Sequence, residues 1–235
     1  MDVIIVGASG FGRELVQYVH DAHKSTPGVR IKGFLDDDPT ALDAVGKVMG
    51  VGIIGDTRTY AIQENDRVII SLGDPGLRCA LAERLARRGA RFTSIVHPTA
   101  YVAPTARIGH GCVIGPFASV GSYVQLEDHV LLNLYSAAGH DAHIGAFCVL
   151  SPYSVANGGS RLGNSVFLGT HAAITPKIRV GTGSKIAAGA VVYRDVPEQS
   201  LAMGNPAKAF PLNQAASGAR SGAPDDQILE WKSKT

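Results

Sequence analysis

Two clusters in this 235-residue chain carry residue types and spacings that could do chemistry. The first is Gly7-Ala8-Ser9-Gly10-Phe11-Gly12, a G-x-x-G-x-G loop that follows the apolar run Val3–Val6. Glycines at a strand-to-helix turn let the backbone approach a phosphate, and the helix N-terminus then stabilises the negative charge. The spacing differs from the dinucleotide pattern G-x-G-x-x-G. Asp36 lies 29 residues after Gly7 and opens the run Asp36-Asp37-Asp38-Pro39. A carboxylate there could accept from a ribose hydroxyl or a base. The loop therefore points to a mononucleotide or a nucleotide-linked group. The competing reading is a tight turn needed only for packing.

The second cluster is Asn133-Leu-Tyr-Ser-Ala-Ala-Gly-His140-Asp141. An imidazole that titrates near neutrality, beside a carboxylate able to orient it, suits general-base catalysis. On an ideal strand adjacent side chains point to opposite faces, so a bend at Gly139 is expected to bring His140 and Asp141 together. Solvent is the expected environment for any one of the other histidines. His140 and His143 could suggest a metal, but residues three apart on a strand face opposite ways, and one chain would not chelate through both. Ligands from neighbouring subunits could still converge; no metal is expected.

The elements that must position these clusters differ in kind. Stepping by six from Val96 to Val192 gives 17 registers, of which 15 are Val, Ile or Leu and the other two Ala. Four residues after each, the side chain is small in nearly every register (Ala100, Cys112, Ser136, Cys148, Ala190), Ile178 being the large exception. The residue directly after the aliphatic is Gly in eight of the 17 registers. Simple alternation in a half-buried sheet has period two and no second lock at six. The pattern predicts a solenoid of short strands, three to a coil, with the aliphatic and small residues inward. Glycine is expected to relieve crowding where the backbone turns or takes a positive φ. Cys112 and Cys148 are 36 residues apart, which is two coils, or ~9.6 Å at the sheet spacing. That exceeds the ~7 Å reach of a disulfide, so both read as small core residues.

Ahead of the repeat the chain alternates. Val3–Val6, Ile31–Leu35 and Val68–Leu72 read as strands, Arg13–His20 and Leu77–Arg88 as helices, and Asp56–Glu64 as a third helix. This predicts an α/β unit with a parallel sheet over residues 1–95. No linker separates it from the repeat at 96–211, so rigid packing is expected. Residues 212–235 read as a tail: Gln214–Asp226 is rich in Ala, Ser and Gly and expected to be mobile, while Ile228-Leu-Glu-Trp231 could dock on a neighbour.

Composition excludes several classes. Lys plus Arg is 22 against 20 Asp plus Glu, a net charge of +2. That balance argues against nucleic-acid coating or polybasic membrane binding. Nothing approaches the ~20 apolar residues of a membrane span, and Met1–Val6 lacks the flanks of a signal peptide. Three cysteines without a CxxC fit a reducing compartment. The expected location is the cytoplasm.

These residues meet a known family. The chain resembles the left-handed β-helix acyltransferases that carry an N-terminal Rossmann-like subdomain, namely the sialic acid O-acetyltransferases and bacterial nucleotide-amino-sugar N-acetyltransferases. The resemblance runs from residue 1 to about 211, through VGASGFGREL, FLDDD, IVHPTAYVAPTARIG, NLYSAAGHDAHIG and IAAGAVVYRDVPEQSLAMGNPAK. It implies a left-handed coil, a homotrimer with sites between adjacent β-helices, and acetyl-CoA as co-substrate along the inter-subunit groove. By motif matching, His140 is the general base, Asp141 orients it, and Asn133 lines the acceptor pocket. Backbone near Gly158 and Ala188 would hold the pantetheine arm, with Lys177, Arg179, Lys185 and Lys208 as candidates for the cofactor's phosphates. The Gly7–Gly12 loop (with Ser9, Gly10 and Phe11) and Asp36–Asp37 would hold the nucleotide of a sugar substrate. Two positions depart from the pattern. Phe11 stands where amino-sugar enzymes usually have His, and Val149 stands where some members have a cofactor-side His. Direct acetyl transfer to a sugar, N or O, is the leading expectation. The rivals are a trimeric β-helix zinc enzyme of the carbonic anhydrase type and a non-catalytic nucleotide-sugar-binding scaffold.

Overall fold

A computed structural model describes residues 1–24 and 27–212. The expectations for the tail beyond 212 fall outside them. The chain begins with a parallel four-stranded sheet of order β3-β2-β1-β4. Its strands are β1 (Asp2–Val6), β2 (Arg30–Leu35), β3 (Ile53–Gly55) and β4 (Asp66–Ile70), with helices α1 (Gly10–His23) and α2 (Pro75–Arg87). Val3–Val6 on central β1 are almost fully buried, as expected of a strand covered on both faces. Helix α2 starts at Pro75, two residues before the expected Leu77: Asp74 accepts from Leu77 N–H at 3.0 Å, and Pro75 occupies the first turn.

The segment read as a third helix, Asp56–Glu64, is a turn at 57–59 followed by irregular chain. Arg88 explains this. Its guanidinium donates to the carbonyls of Thr57 (2.8 Å) and Tyr60 (2.7 Å), so those acceptors serve a side chain from α2 rather than a helix ladder. Short β3 was not anticipated; three residues give too little alternation to read.

From Ile95 the chain becomes a prism. Seventeen two-residue strands, β5 (Ile95–Val96) to β21 (Val191–Val192), each end on one of the periodic aliphatics. Strands pair in parallel with those 18 residues on, as Leu131 and Leu132 do with Val149 and Leu150. Three walls result, and a hairpin of β22 (Ser200–Gly204) and β23 (Ala207–Pro211) extends the first wall at the C-terminal end. The interior holds the aliphatics and the small residues together, Cys112, Ala118, Cys148 and Ala190 among them. Both cysteines are free thiols, pushed up to about 11 (Cys112) and about 12 (Cys148) by burial.

The glycines after the aliphatics have a different reason from positive φ. The left-handed residues recur three positions after the aliphatic in 14 of the 17 registers and are mostly not Gly: Phe117, Tyr123, His129, Tyr135, Asp141, Phe147 and Tyr153 among them. The glycines instead sit where one coil's backbone presses on the next. A Cβ on Gly139 would lie 2.7 Å from Gly158 N.

The three walls face different surroundings. Outward residues of the first wall, Ile95, Val113, Leu131 and Val149, are buried in one cluster with Leu15, Val16 and Val19 of α1. The N-terminal unit thus packs on that wall through this shared apolar cluster. The third wall presents Arg107, Gln125, His143, Arg161 and Arg179. The second wall presents exposed Tyr101 and the half-buried Ser119, Ala137, Val155, Ala173 and Val191; none of these belongs to the cluster that seats α1, and the hairpin of β22 and β23 lies against its last strand, β21. No helix among the described residues is long and apolar enough to cross a membrane.

Candidate active site

His140 and Asp141 occupy the edge between the second and third walls, on a turn rather than a strand. Asp141 itself takes the left-handed conformation, with φ of 59°. That rotation, not a bend at Gly139, turns the two side chains toward each other, and His140 Nδ1 stands 2.8 Å from Asp141 Oδ2. The carboxylate accepts, so Nδ1 carries the proton and Nε2 is left as the basic nitrogen. Nε2 has no hydrogen-bond partner among the described residues. Both neighbouring coils pin the pair's backbone: Gly159 N donates to His140 O at 2.8 Å, and Asp141 N donates to Ser122 O at 2.9 Å. The side chains are 73% and 62% exposed in the single chain.

Gly158, one coil beyond His140, carries the imidazole. A Cβ there would stand 2.5 Å from Nε2 and 2.7 Å from Cε1. No larger residue leaves the ring where it is. This role follows from the 18-residue coil period, and stepping 18 from His140 would have found it.

The other predicted residues are spread over several edges. Asn133 lies at the edge between the first and second walls, the far side of the second wall from His140. Seven residues at ~3.3 Å each allow a separation of up to roughly 23 Å. Its Oδ1 accepts from Leu134 N at 2.7 Å, which leaves the amide NH2 to face outward partners. Ala188 shares Asn133's edge and Gly158 shares that of His140. Exposed Lys185 and Lys208 belong to the extended first wall, on β20 (Lys185–Ile186) and β23. Lys177 stands two coils beyond Asp141 at the same edge, and Arg179 lies on the third wall. One chain therefore does not bring all these residues together.

The glycine loop sits at the C-terminal end of β1, next to the start of α1. Gly7 has φ of 101°, which favours glycine, and a Cβ on Gly12 would collide with the Gly7 carbonyl. Ser9 caps α1 without a side-chain bond, so the first-turn N–H groups stay free near exposed Ser9 and Gly10. Asp36 is engaged within the protein: Oδ2 accepts from Ala8 N at 2.7 Å and Oδ1 from Asp38 N at 3.0 Å. Asp37 accepts from Thr57 and faces Arg58 and Arg84 at 3.6 and 3.4 Å. Asp36 and Asp37 border a shallow cavity of about 410 Å³ with Pro39, Ile53, Gly55, Asp56 and Arg58. Phe11 is partly buried against the α1 cluster and packs edge-on against Tyr18, ring centroids 6.3 Å apart.

Several histidines depart from the solvent-facing expectation in different ways. The His97 side chain is only 11% exposed, with Nε2 3.5 Å from Asp21 Oδ2 and its ring edge-on to Tyr18. His143 Nε2 meets Glu127 Oε1 at 3.0 Å, an imidazole–carboxylate pair beside that of His140. His140 and His143 thus each engage a different carboxylate. Among the described residues no three His, Cys, Asp or Glu side chains group as metal ligands would. His129 is buried, stacked on Phe147 and edge-on to Phe92.

Comparison with known proteins places this geometry. Residues 2–85 match the model of the PglD N-terminal domain. A variant of perosamine N-acetyltransferase from Caulobacter crescentus, solved with CoA and GDP-perosamine, is 29% identical with a TM-score of 0.81, covering 89% of this chain and 97% of that one. The acetyltransferase domain of PglB from Neisseria gonorrhoeae, solved with acetyl coenzyme A, is 30% identical with a TM-score of 0.79, covering 89% and 98%. Serine acetyltransferase 4 of Arabidopsis thaliana is 26% identical over 193 residues, 81% of this chain and 48% of that protein. The chain spans about half the length of the curated plant relatives it matches. The prism is the left-handed parallel β-helix of these solved structures, joined to the same kind of α/β unit. With 30% identity carried across nearly the whole of a solved acetyltransferase domain, the chain belongs to the hexapeptide-repeat sugar acetyltransferases.

Proposed function

We propose that this protein transfers an acetyl group from acetyl-CoA to an amino or hydroxyl group of a nucleotide-linked sugar, with His140 as general base, and that it works as a homotrimer. The observation that carries the reading is the His140–Asp141 pair: a fixed 2.8 Å contact at Nδ1 and an unpartnered, exposed Nε2 at a prism edge. Nε2 takes the acceptor's proton as its nitrogen or oxygen attacks the thioester carbonyl. The new C–N or C–O bond forms, the C–S bond breaks, and the imidazolium returns the proton to the departing thiolate. Asp141 holds the tautomer throughout. The N–H of Gly158, which donates to no group among the described residues and lies beneath the imidazole, is the backbone candidate to stabilise the oxyanion. The buried thiols of Cys112 and Cys148 offer no nucleophile for a covalent intermediate.

The trimer reading rests on the walls. Of the three, the second presents mostly small or apolar outward residues that lie outside the cluster seating α1, and it is flanked by the Asn133 edge on one side and the His140 edge on the other. Packing second walls about a threefold axis sets the His140 edge of one copy beside the Asn133 edge of the next. Asn133, Ala188 and Lys185 then face His140 and Gly158 across an inter-subunit groove. A nucleotide acceptor is supported by the free first-turn N–H groups at the glycine loop and by the GDP-perosamine bound to the Caulobacter relative. A thiol-release assay with acetyl-CoA and a panel of UDP-, GDP- and dTDP-linked amino sugars, with free sialic acids alongside, tests the reading. Release with one nucleotide-linked sugar supports it; none with any nucleotide-linked member rules it out.

A further inference from the structure

Arg78 of α2 is fully buried, yet no carboxylate pairs with it among the described residues. Removing a guanidinium from water without a counter-charge is costly, and an apolar side chain of similar size would fill the space more cheaply. What the arginine supplies is a rigid fork of donors. Nη1 donates to the carbonyls of Ile70 (2.8 Å) and Leu72 (3.0 Å), while Nη2 and Nε donate to that of His129 (2.9 and 3.3 Å).

Those three carbonyls lie on two bodies. His129 is on an edge of the β-helix. Ile70 and Leu72 flank Ser71, whose hydroxyl lies under the glycine loop, 2.7 Å from Val6 O and 2.8 Å from Gly7 O. The path runs from the β-helix through Arg78 and Ser71 to the carbonyl of the loop's first glycine. We infer that Arg78 is a positioning residue: its carbonyl-only clamp fixes the floor of the Gly7–Gly12 loop against the β-helix and so sets how the loop holds a nucleotide's phosphates. This rests on the functional reading above, which supplies the nucleotide. The apolar packing of α1 on the first wall is a separate seat for the N-terminal unit.

The test uses the full chain and the nucleotide-linked amino sugar that the wild type turns over best. In Arg78→Met the KM for that sugar should rise about tenfold or more while the KM for acetyl-CoA stays within about twofold. Arg78→Lys should fall between, because an ammonium keeps the charge but not the fork. Loss of folded enzyme lowers kcat and leaves both KM values alone; that outcome, or an equal rise in both, overturns the inference. If Arg78→Met does not fold, Ser71→Ala breaks the same path at a smaller side chain. It should give the same one-sided rise, and two unchanged KM values in that variant overturn the proposal equally. A wild type that turns over no nucleotide-linked sugar fails before any variant is compared; that sinks the functional reading and this inference with it.

Discussion

At the scale of single residues, the site is a pair of side chains on a platform. Replacing His140 by Ala removes the proposed proton acceptor from an exposed edge without touching the packed interior. The variant should fold and assemble normally while kcat falls by about 10²–10⁴. Steady-state thiol release together with a thermal melt checks this, and near-normal turnover would end the general-base assignment. Gly158→Ala probes the same pair from beneath. Gly158 is not in the left-handed region, so its backbone accepts a methyl group, but the imidazole cannot keep its place above one. A misplaced base costs rate steeply, so kcat should drop by about 10–100-fold with an unchanged melting temperature. A kcat within twofold of wild type would show that the ring does not rest there. The pair could be named from the sequence because its members are adjacent. The platform was harder to see, since its link to His140 is a stacking period and not a neighbouring letter.

Elements show most clearly which features of the fold can be read from the sequence and which cannot. The 17 strands repeat a physical requirement every six residues, so any one register supports the next. The Asp56–Glu64 helix failed because a single distant side chain, Arg88, decides that segment. His129 failed for a related reason: its burial comes from Phe92, a residue outside the repeat. That burial has a consequence for pH. Enclosure by Phe92 and Phe147, and then the charge of Arg78, lower the His129 imidazole from 6.5 to about 4, with Asp128 opposing and His110 reinforcing the shift. Between those values the unfolded chain takes a proton that the native state refuses. Stability from this group is therefore present above pH 6.5 and lost as pH falls toward 4, by up to about 3 kcal/mol. His129→Phe suits the site, because Phe117 and Phe147 occupy the same left-handed register. Its melting temperature should fall less than that of wild type between pH 7 and 4.5. Parallel melting curves for the two proteins would show that His129 does not titrate as a buried base.

At the scale of the whole molecule, the distribution of site residues over two prism edges is itself an argument. His140 and Asn133 share one coil but stand at opposite ends of its second-wall strand, Ala137–Ala138. No movement short of unwinding brings them to one acceptor within a single copy. If second walls meet about a threefold axis, each site takes its imidazole from one copy and its amide from the next. Two inactive variants should then repair each other. His140→Ala and Asn133→Ala, each poorly active alone, are mixed in equal amounts, unfolded and refolded together so that subunits exchange. Random assembly gives about one site in four with both groups intact. Activity near a quarter of wild type, appearing only after co-refolding and with a mass of three chains by light scattering, is the expected result. Val155→Asp places a charge on the apolar wall and should abolish both the trimer and the activity while the β-sheet signal of the single chain persists. Recovery of nothing in the co-refolded mixture, despite confirmed mixed trimers, would mean that each copy builds its site alone and that the edge-to-edge geometry is wrong.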